Sequence, residues 1–264
     1  LDCLVASLKL LQRFAPEPFP VIVFHEDYTE DDMARLRSTY PRISFEPVDF
    51  STHKHRYEGN KRGSRTGSYG YGMMCRFFCG PMQSHPALQG YTHYMRLDDD
   101  SYILSPLDPE VMQRIGSFDY TYRCTFEDPH ESLWQHTLNF LQDHQIPIPT
   151  GARYSGTAPY TNYHTCKLDL WKHPVMVEFM ASVEAKDGCL NLGWDDAVIA
   201  EVMVKLLLPA MGRSTHLEKG FCYRHNQHCS HRNGHGHSPL CEDGNEAHHG
   251  GDPNYKWGPP LNLC

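Results

Sequence analysis

Three consecutive carboxylates, Asp98-Asp99-Asp100, close an aromatic and apolar run that starts at Tyr91 and ends at Leu97, and Ser101, Tyr102 and Ile103 follow at once. A β-forming segment that stops in clustered aspartates presents hard oxygen ligands at a strand's carboxyl end, where open α/β sheets bind their ligands. Asp98 and Asp100 can share a divalent cation whose other ligands are phosphate oxygens, the usual arrangement for Mg²⁺ or Mn²⁺. Arg96 is placed to meet such a phosphate, and Arg76 is a second candidate, with a helix-surface salt bridge as its plainer role. A solvated acidic turn is the competing reading of the triplet. The return to apolar sequence at Ile103-Leu104 instead sets it in a turn within the core.

A second acidic pair, Asp195-Asp196, follows Trp194 and opens a helix, where either carboxylate can cap the free N–H groups. The chain holds 18 histidines, and the run from His225 to His237, with Cys222 and Cys229, has residue types that bind Zn²⁺. Its irregular spacing and many glycines argue against a structural zinc site.

The elements that must hold these groups alternate. Leu4, Leu8, Leu11 and Phe14 form a helical stripe that the Pro-rich segment 15–20 ends. Val21 to Phe24 reads as a buried strand, Thr29 with Asp32 as a capping box opening a helix to about Thr39, and Ile43 to Val48 as a second strand. Residues 51–70 read as a polar loop, Tyr71 to Cys79 as a helix, and Phe118 to Thr125 as a strand. Helices are expected over 133–143, 174–185 and 195–208, the last with Val198, Val202 and Leu206 on one side; Lys167 to Trp171 reads as extended. Helix–strand alternation implies an α/β fold with a mainly parallel, doubly wound sheet. The last 45 or so residues, rich in Gly, Pro, His, Asn and Cys, cannot build a core alone.

At 264 residues the chain is long enough to bury a sizeable core. Its net charge of −8 and the lack of a long basic block argue against a nucleic-acid partner; Lys61, Arg62 and Arg65 make only a short loop cluster. Ten cysteines without a C-x-x-C pair favour disulfides and an oxidising compartment, with Cys75, Cys166 and Cys189 equally suited to be buried thiols. No apolar run approaches the roughly 20 residues that span a bilayer. The chain starts at Leu1, already in a helical pattern, and reads as a fragment that leaves an upstream signal or anchor open.

Several segments fall in a recognisable order: Tyr71 to Phe77, His85-Pro86, Tyr94 to Asp100, Leu133-Trp134, Leu168 to Trp171, Gly193 to Ala197, Leu206 to Pro209, Gly220 to His225, Asp252 to Trp257 and Cys264. Their collinearity resembles the fungal α-1,2-mannosyltransferases of glycosyltransferase family 15, over most of the chain. The resemblance implies one catalytic domain of GT-A-like fold: a nucleotide-sugar half over 1–105, an acceptor half over 106–220, and a disulfide-pinned tail over 221–264. It further implies a GDP-mannose donor, a glycan or glycoprotein acceptor, Mn²⁺, retention of anomeric configuration, and a Golgi or secretory-lumen location with an N-terminal membrane anchor outside this fragment.

The resemblance also assigns residues. Asp98 and Asp100 stand where the family has acid-Pro-Asp, and His225 is the matching metal ligand, with Tyr223 and His228 competing for that place. Tyr71, Arg76, Arg96, Asp98 and Asp195 would line the nucleotide-sugar site, and Asp196 would hold or deprotonate the acceptor hydroxyl. One departure stands out. The family's suggested glutamate nucleophile falls at His164, in Tyr160 to Thr165. Imidazole is a poor glycosyl nucleophile, so the expectation is front-face transfer with His164 orienting a sugar. Alternatives are another nucleotide sugar on the same scaffold, or a lectin-like binder without catalysis.

Overall fold

The computed structural model describes residues 1–59 and 68–225. The Lys61, Arg62 and Arg65 cluster and the tail with His228, Cys229, Cys241 and Cys264 lie outside the described residues.

The chain opens with helix α1 (Asp2–Phe14), which buries Leu4, Val5, Ala6, Ser7, Leu8, Leu10 and Leu11. This is more than a stripe, because α1 lies between helix α2 (Glu30–Thr39) and strand β4 (Ser101–Ile103). Strands β1 (Val21–His25) and β2 (Ile43–Pro47) pair in parallel, Val21 opposite Ile43. The helix between them starts in the expected capping box: Asp32 N–H donates to Thr29 Oγ1, and Thr29 N–H donates to Asp32 Oδ2 at 3.0 Å. Ser51–Arg56 is a 3₁₀ segment within the expected loop, and helix α3 is Tyr69–Phe78.

Four strands form the central sheet: β3 (His93–Leu97), β5 (Tyr120–Tyr122), β8 (Tyr163–Lys167) and β9 (Thr215–Leu217), in the order β3-β8-β5-β9. The expectation of a mainly parallel sheet is corrected here. β8 runs antiparallel to both β3 and β5, and only β5 and β9 are parallel. The sequence hid β8 because Tyr-His-Thr-Cys-Lys lacks the aliphatic run of a buried parallel strand. Lys167 ends that strand, and Leu168–Lys172 is a 3₁₀ turn rather than an extended segment.

The stretch expected as one strand over 118–125 divides into β5 and β6 (Thr125–Glu127), and β6 pairs antiparallel with β7 (Thr157–Pro159). Strand β10 (Tyr223–His225) pairs antiparallel with β4 and puts His225 opposite Ser101.

Helices α4 (Pro109–Ser117), α5 (Glu131–Asp143) and α6 (Pro174–Glu184) each turn buried apolar side chains into the core. Helix α7 (Asp196–Val202) is buried at every position, so the expected one-sided pattern does not hold. Nor does it run on unbroken: Met203–Leu207 widens into a π turn. Pro209 supplies the reason, since its ring clashes with the carbonyl four residues back and it donates no N–H.

Two large apolar clusters hold the molecule together. One gathers Leu133, Leu141, Phe179, Val198 and Leu206 under the central sheet; the other joins Leu8, Leu36, Ile103, Val111, Tyr163 and Tyr223 around β4 and β10. Cys3, Cys75, Cys79, Cys166, Cys189 and Cys222 are free thiols, so the expected disulfide pinning has no support among the described residues. Among those residues no helix is long and apolar enough to cross a membrane.

Candidate active site

The aspartate triplet forms the turn between β3 and β4. Ser101 N–H donates to the Asp98 carbonyl at 3.0 Å, and Asp98 N–H donates to the Asn162 carbonyl at 3.0 Å. Three carboxylates held this closely repel one another. Burial, then Asp99 and Asp98, push the Asp100 carboxyl up to about 7, and burial also raises Asp98 and Asp99. His225 faces them from β10: its Nδ1 lies 3.2 Å from Asp100 Oδ1 and 3.0 Å from Ser101 Oγ. Burial, then the nearby Arg96 charge, draw His225 down to about 4, so its ring is neutral at pH 7. Tyr223, its competitor in the sequence, is fully buried, with its hydroxyl 2.8 Å from both Ser101 Oγ and Asn162 Oδ1.

A second centre adjoins the first through Arg96. Its sequence position suggested a phosphate partner; the structure shows it held between two carboxylates. Its Nε donates to Asp98 Oδ1 at 2.9 Å, its Nη1 pairs with Asp196 Oδ2, and the guanidinium lies 3.8 Å from the centroid of the Phe78 ring. A guanidinium that is 95% buried must be paired, and the two nearest carboxylates supply the pairing. Asp196 also accepts from Thr161 Oγ1 at 2.9 Å and from Cys75 Sγ at 3.5 Å. Burial pushes its carboxyl upward, but Arg96, Thr161 and Cys75 together hold it below the ordinary range. Asp195 caps α7, accepting from Val198 N–H at 3.1 Å.

His164 stands on β8 directly opposite Arg96. A carbonyl can only accept, so Nδ1–H donates to the Thr161 carbonyl at 3.2 Å, and Nε2 then accepts from the Tyr94 hydroxyl at 3.2 Å. The ring stacks on Tyr120 at 5.2 Å between centroids. Burial, then Arg96, lower its pKa to about 3. Both nitrogens are therefore engaged with protein and the ring is neutral. Tyr71 lies on α3, one turn before Cys75; burial, then the charges of Cys75, Asp196 and Asp195, raise its phenol. Arg76 is apart from this group: it pairs with Glu184 at 2.7 Å, the same carboxylate that Arg56 meets at 2.8 Å.

The structure thus gathers Tyr71, Arg96, Asp98, Asp100, His164, Asp195, Asp196 and His225 around the ends of β3 and β4, and leaves Arg76 in an ion pair between α3 and α6. The sequence reading missed Thr161, Asn162, Ser101 and Tyr94. Ser101 follows the triplet and Asn162 sits two residues before His164, so adjacency was the only available signal.

Among the described residues no three His, Cys, Asp or Glu side chains converge as a closed metal cage. A Mg²⁺- or Mn²⁺-type ion shared with a diphosphate does not require one, because one or two carboxylates suffice beside the phosphate oxygens. Asp98 and Asp100 with His225 are oxygen and imidazole donors suited to such an ion, and their mutual repulsion is what a cation relieves. The residues fit the group.

The mixed α/β fold thus brings a carboxylate-tipped strand against a histidine-bearing strand. Residues 51–249 match the model of glycosyltransferase family 15, described as glycolipid 2-alpha-mannosyltransferase, and the chain belongs to that family. It is 26% identical over 175 residues to the O-glycoside alpha-1,2-mannosyltransferase omh1 of Schizosaccharomyces pombe, covering 60% of this chain and 45% of that one. It is 23% identical over 159 residues to the glycolipid 2-alpha-mannosyltransferase of Saccharomyces cerevisiae, covering 54% and 36%. The chain therefore spans less than half the length of these relatives. Its fold matches core-mannan synthase A of Aspergillus fumigatus, solved in a Mn/GDP form, with a TM-score of 0.74 at 17% identity over 99% of this chain and 76% of that one. It also matches Ktr4p of S. cerevisiae in complex with GDP, with a TM-score of 0.71 at 18% identity over 91% and 69%.

Proposed function

We propose that this chain transfers mannose from GDP-mannose to a hydroxyl of a glycan or glycoprotein, with retention and with Mn²⁺ or a similar cation. The observation that carries the reading is the pairing of the Asp98–Asp100 turn with His225 across β4 and β10, in a chain of this family. Asp98, Asp100 and His225 would hold the cation, which when bound neutralises the departing diphosphate. Arg96 would fix the Asp98 carboxylate and add positive charge beneath the site. Asp196 is ionised but spent on Arg96, Thr161 and Cys75, so its role is to hold Arg96 across the site rather than to take a proton. His164 has no lone pair available for attack, in keeping with transfer that forms no covalent sugar adduct there. Tyr71 and Asp195 would bound the sugar end. The family relationship supports a secretory-pathway location, which we extend to a Golgi lumen with an N-terminal membrane anchor.

A screen of nucleotide sugars for Mn²⁺-dependent release of nucleoside diphosphate tests this reading. GDP-mannose should be consumed fastest and EDTA should stop it. Preference for another nucleotide sugar would change the donor. No turnover with any donor, together with binding of free mannosides, would make the chain a lectin-like binder; the committed nitrogens of His164 are the feature that favours that second reading.

A further inference from the structure

We propose that Asn162, Tyr223 and Ser101 form a buried proton-ordered chain that sets which nitrogen of His225 carries its hydrogen; they are positioning residues for the cation site. The inference rests on the metal reading above. All four side chains are more than nine-tenths buried.

The order follows from counting protons. Tyr223 has one O–H and lies 2.8 Å from two oxygens, Asn162 Oδ1 and Ser101 Oγ. The amide oxygen can only accept, so the phenol donates there. The contact between the two hydroxyls must then use the serine's proton, and Ser101 donates to Tyr223. With its proton spent, Ser101 Oγ can only accept from the imidazole 3.0 Å away, so His225 Nδ1 carries the hydrogen. Nε2 then bears the lone pair that a metal requires.

Turning the Asn162 amide over would reverse every bond and leave Nδ1 as an acceptor. With Asp100 ionised, as holding a cation requires, that arrangement sets the Nδ1 lone pair against Asp100 Oδ1 at 3.2 Å, two acceptors face to face. Asp100 therefore selects the same order from the other end. The chain also couples the two metal-binding strands, because the Asn162 carbonyl receives the Asp98 N–H at 3.0 Å. One residue on the segment before β8 thus steadies both the aspartate turn and the histidine.

Manganese binding in the presence of GDP, followed by the loss of the free Mn²⁺ paramagnetic signal, provides the test. Tyr223→Phe and Ser101→Ala should each weaken Mn²⁺ by about tenfold to a hundredfold. Asn162→Asp, which can only accept from Tyr223, should keep affinity at or above the wild-type value. Two-bond ¹H–¹⁵N spectra of the metal-free protein, with His225 assigned by its loss in His225→Ala, should show hydrogen on Nδ1, and Tyr223→Phe should scramble that pattern. Wild-type Mn²⁺ affinity in both Tyr223→Phe and Ser101→Ala would sink the chain while leaving the metal reading intact. Equal weakening in Asn162→Asp would show a packing effect and also sink it, as would hydrogen on Nε2 in the wild-type spectrum. A wild-type protein that takes up no Mn²⁺ with GDP would remove the metal reading and this inference with it.

Discussion

The two centres that meet at Arg96 handle buried charge in opposite ways. Around Asp196 every charge is answered: one carboxylate receives a guanidinium, a hydroxyl and a thiol, and the neighbouring histidine stays neutral. At the strand end, three adjacent carboxylates hold one another's acidity down, and Asp100 stays partly protonated near neutrality. The first arrangement is what a fold needs in order to be stable; the second suits the cation that the proposed function places there. The contrast separates a group that holds the site together from one that is poised to bind, though Arg96 touches both.

The severest way to break this contrast is to remove the shared cation. Arg96→Met should cost about 3–5 kcal/mol, since it strands Asp98 and Asp196 together. Urea unfolding of the purified variant measures this, and a loss below about 1 kcal/mol would mean that neither carboxylate depends on the arginine.

Asp100→Asn should separate binding from stability. Transfer should fall by at least about a hundredfold, because the diphosphate loses a charged partner at the cation site. Metal-free stability should move the other way. The folded pKa of Asp100 is raised from 3.8 to about 7, so its favourable contribution exists below the unfolded pKa and is lost as pH rises through about 7. The variant should therefore melt higher than wild type at pH 8 without metal, and the gap should shrink toward pH 4. A variant that melts lower at pH 8 would show that the triplet is not strained by its own charge.

His164 gives the opposite sign. Its folded pKa is depressed from 6.5 to about 3, so its contribution is present above about 6.5 and is lost as pH falls toward 3. The urea midpoint of wild type should drop between pH 7 and pH 5 more steeply than that of His164→Gln. Transfer by His164→Gln should fall by up to about a hundredfold, through displaced neighbours, without vanishing. Complete loss of activity, or a sugar trapped on the wild-type imidazole, would restore His164 as a reacting group.

The mildest change is Thr161→Val. It removes one donor to Asp196 while Arg96 and Cys75 remain, and should cost about 1.5–3 kcal/mol, read by thermal or urea unfolding. No measurable loss would mean that the Asp196 centre is not tightly balanced.

Legibility in the sequence followed the same division. The Asp98–Asp100 turn could be read because a strand pattern ends in like charges, which local sequence displays. The capping box at Thr29 and Asp32 was equally plain, since its two partners are three residues apart. The Asp196 centre was not readable as a pairing. Its members come from β3, α3, the segment before β8 and α7, and Arg96 and Asp196 are 100 residues apart. Arg96 looked like a phosphate ligand because Asp98, two residues on, was read as a metal ligand and its other partner, Asp196, is far away in the chain. Strand β8 was hidden for a related reason: a histidine, a threonine and a cysteine face neighbours whose identity only the antiparallel register supplies.

Ser7 on α1 donates to the Ser101 carbonyl at 2.7 Å, and α1 lies outside the span 51–249 that matches the family. A recombinant piece trimmed to that span would lose the helix that backs the Asp98–Asp100 turn. It would bare Ile103 and Leu107, which pack with Leu4, Leu8 and Leu11, and leave the Ser101 carbonyl to water. Similarity scoring draws its edge where sequences stop resembling one another, whereas the fold draws its edge where the last supporting side chain lies. Here the physical boundary falls at least 44 residues (from Ser7 to Ser51) before the statistical one. A fragment made for crystallisation or for assay should therefore keep α1.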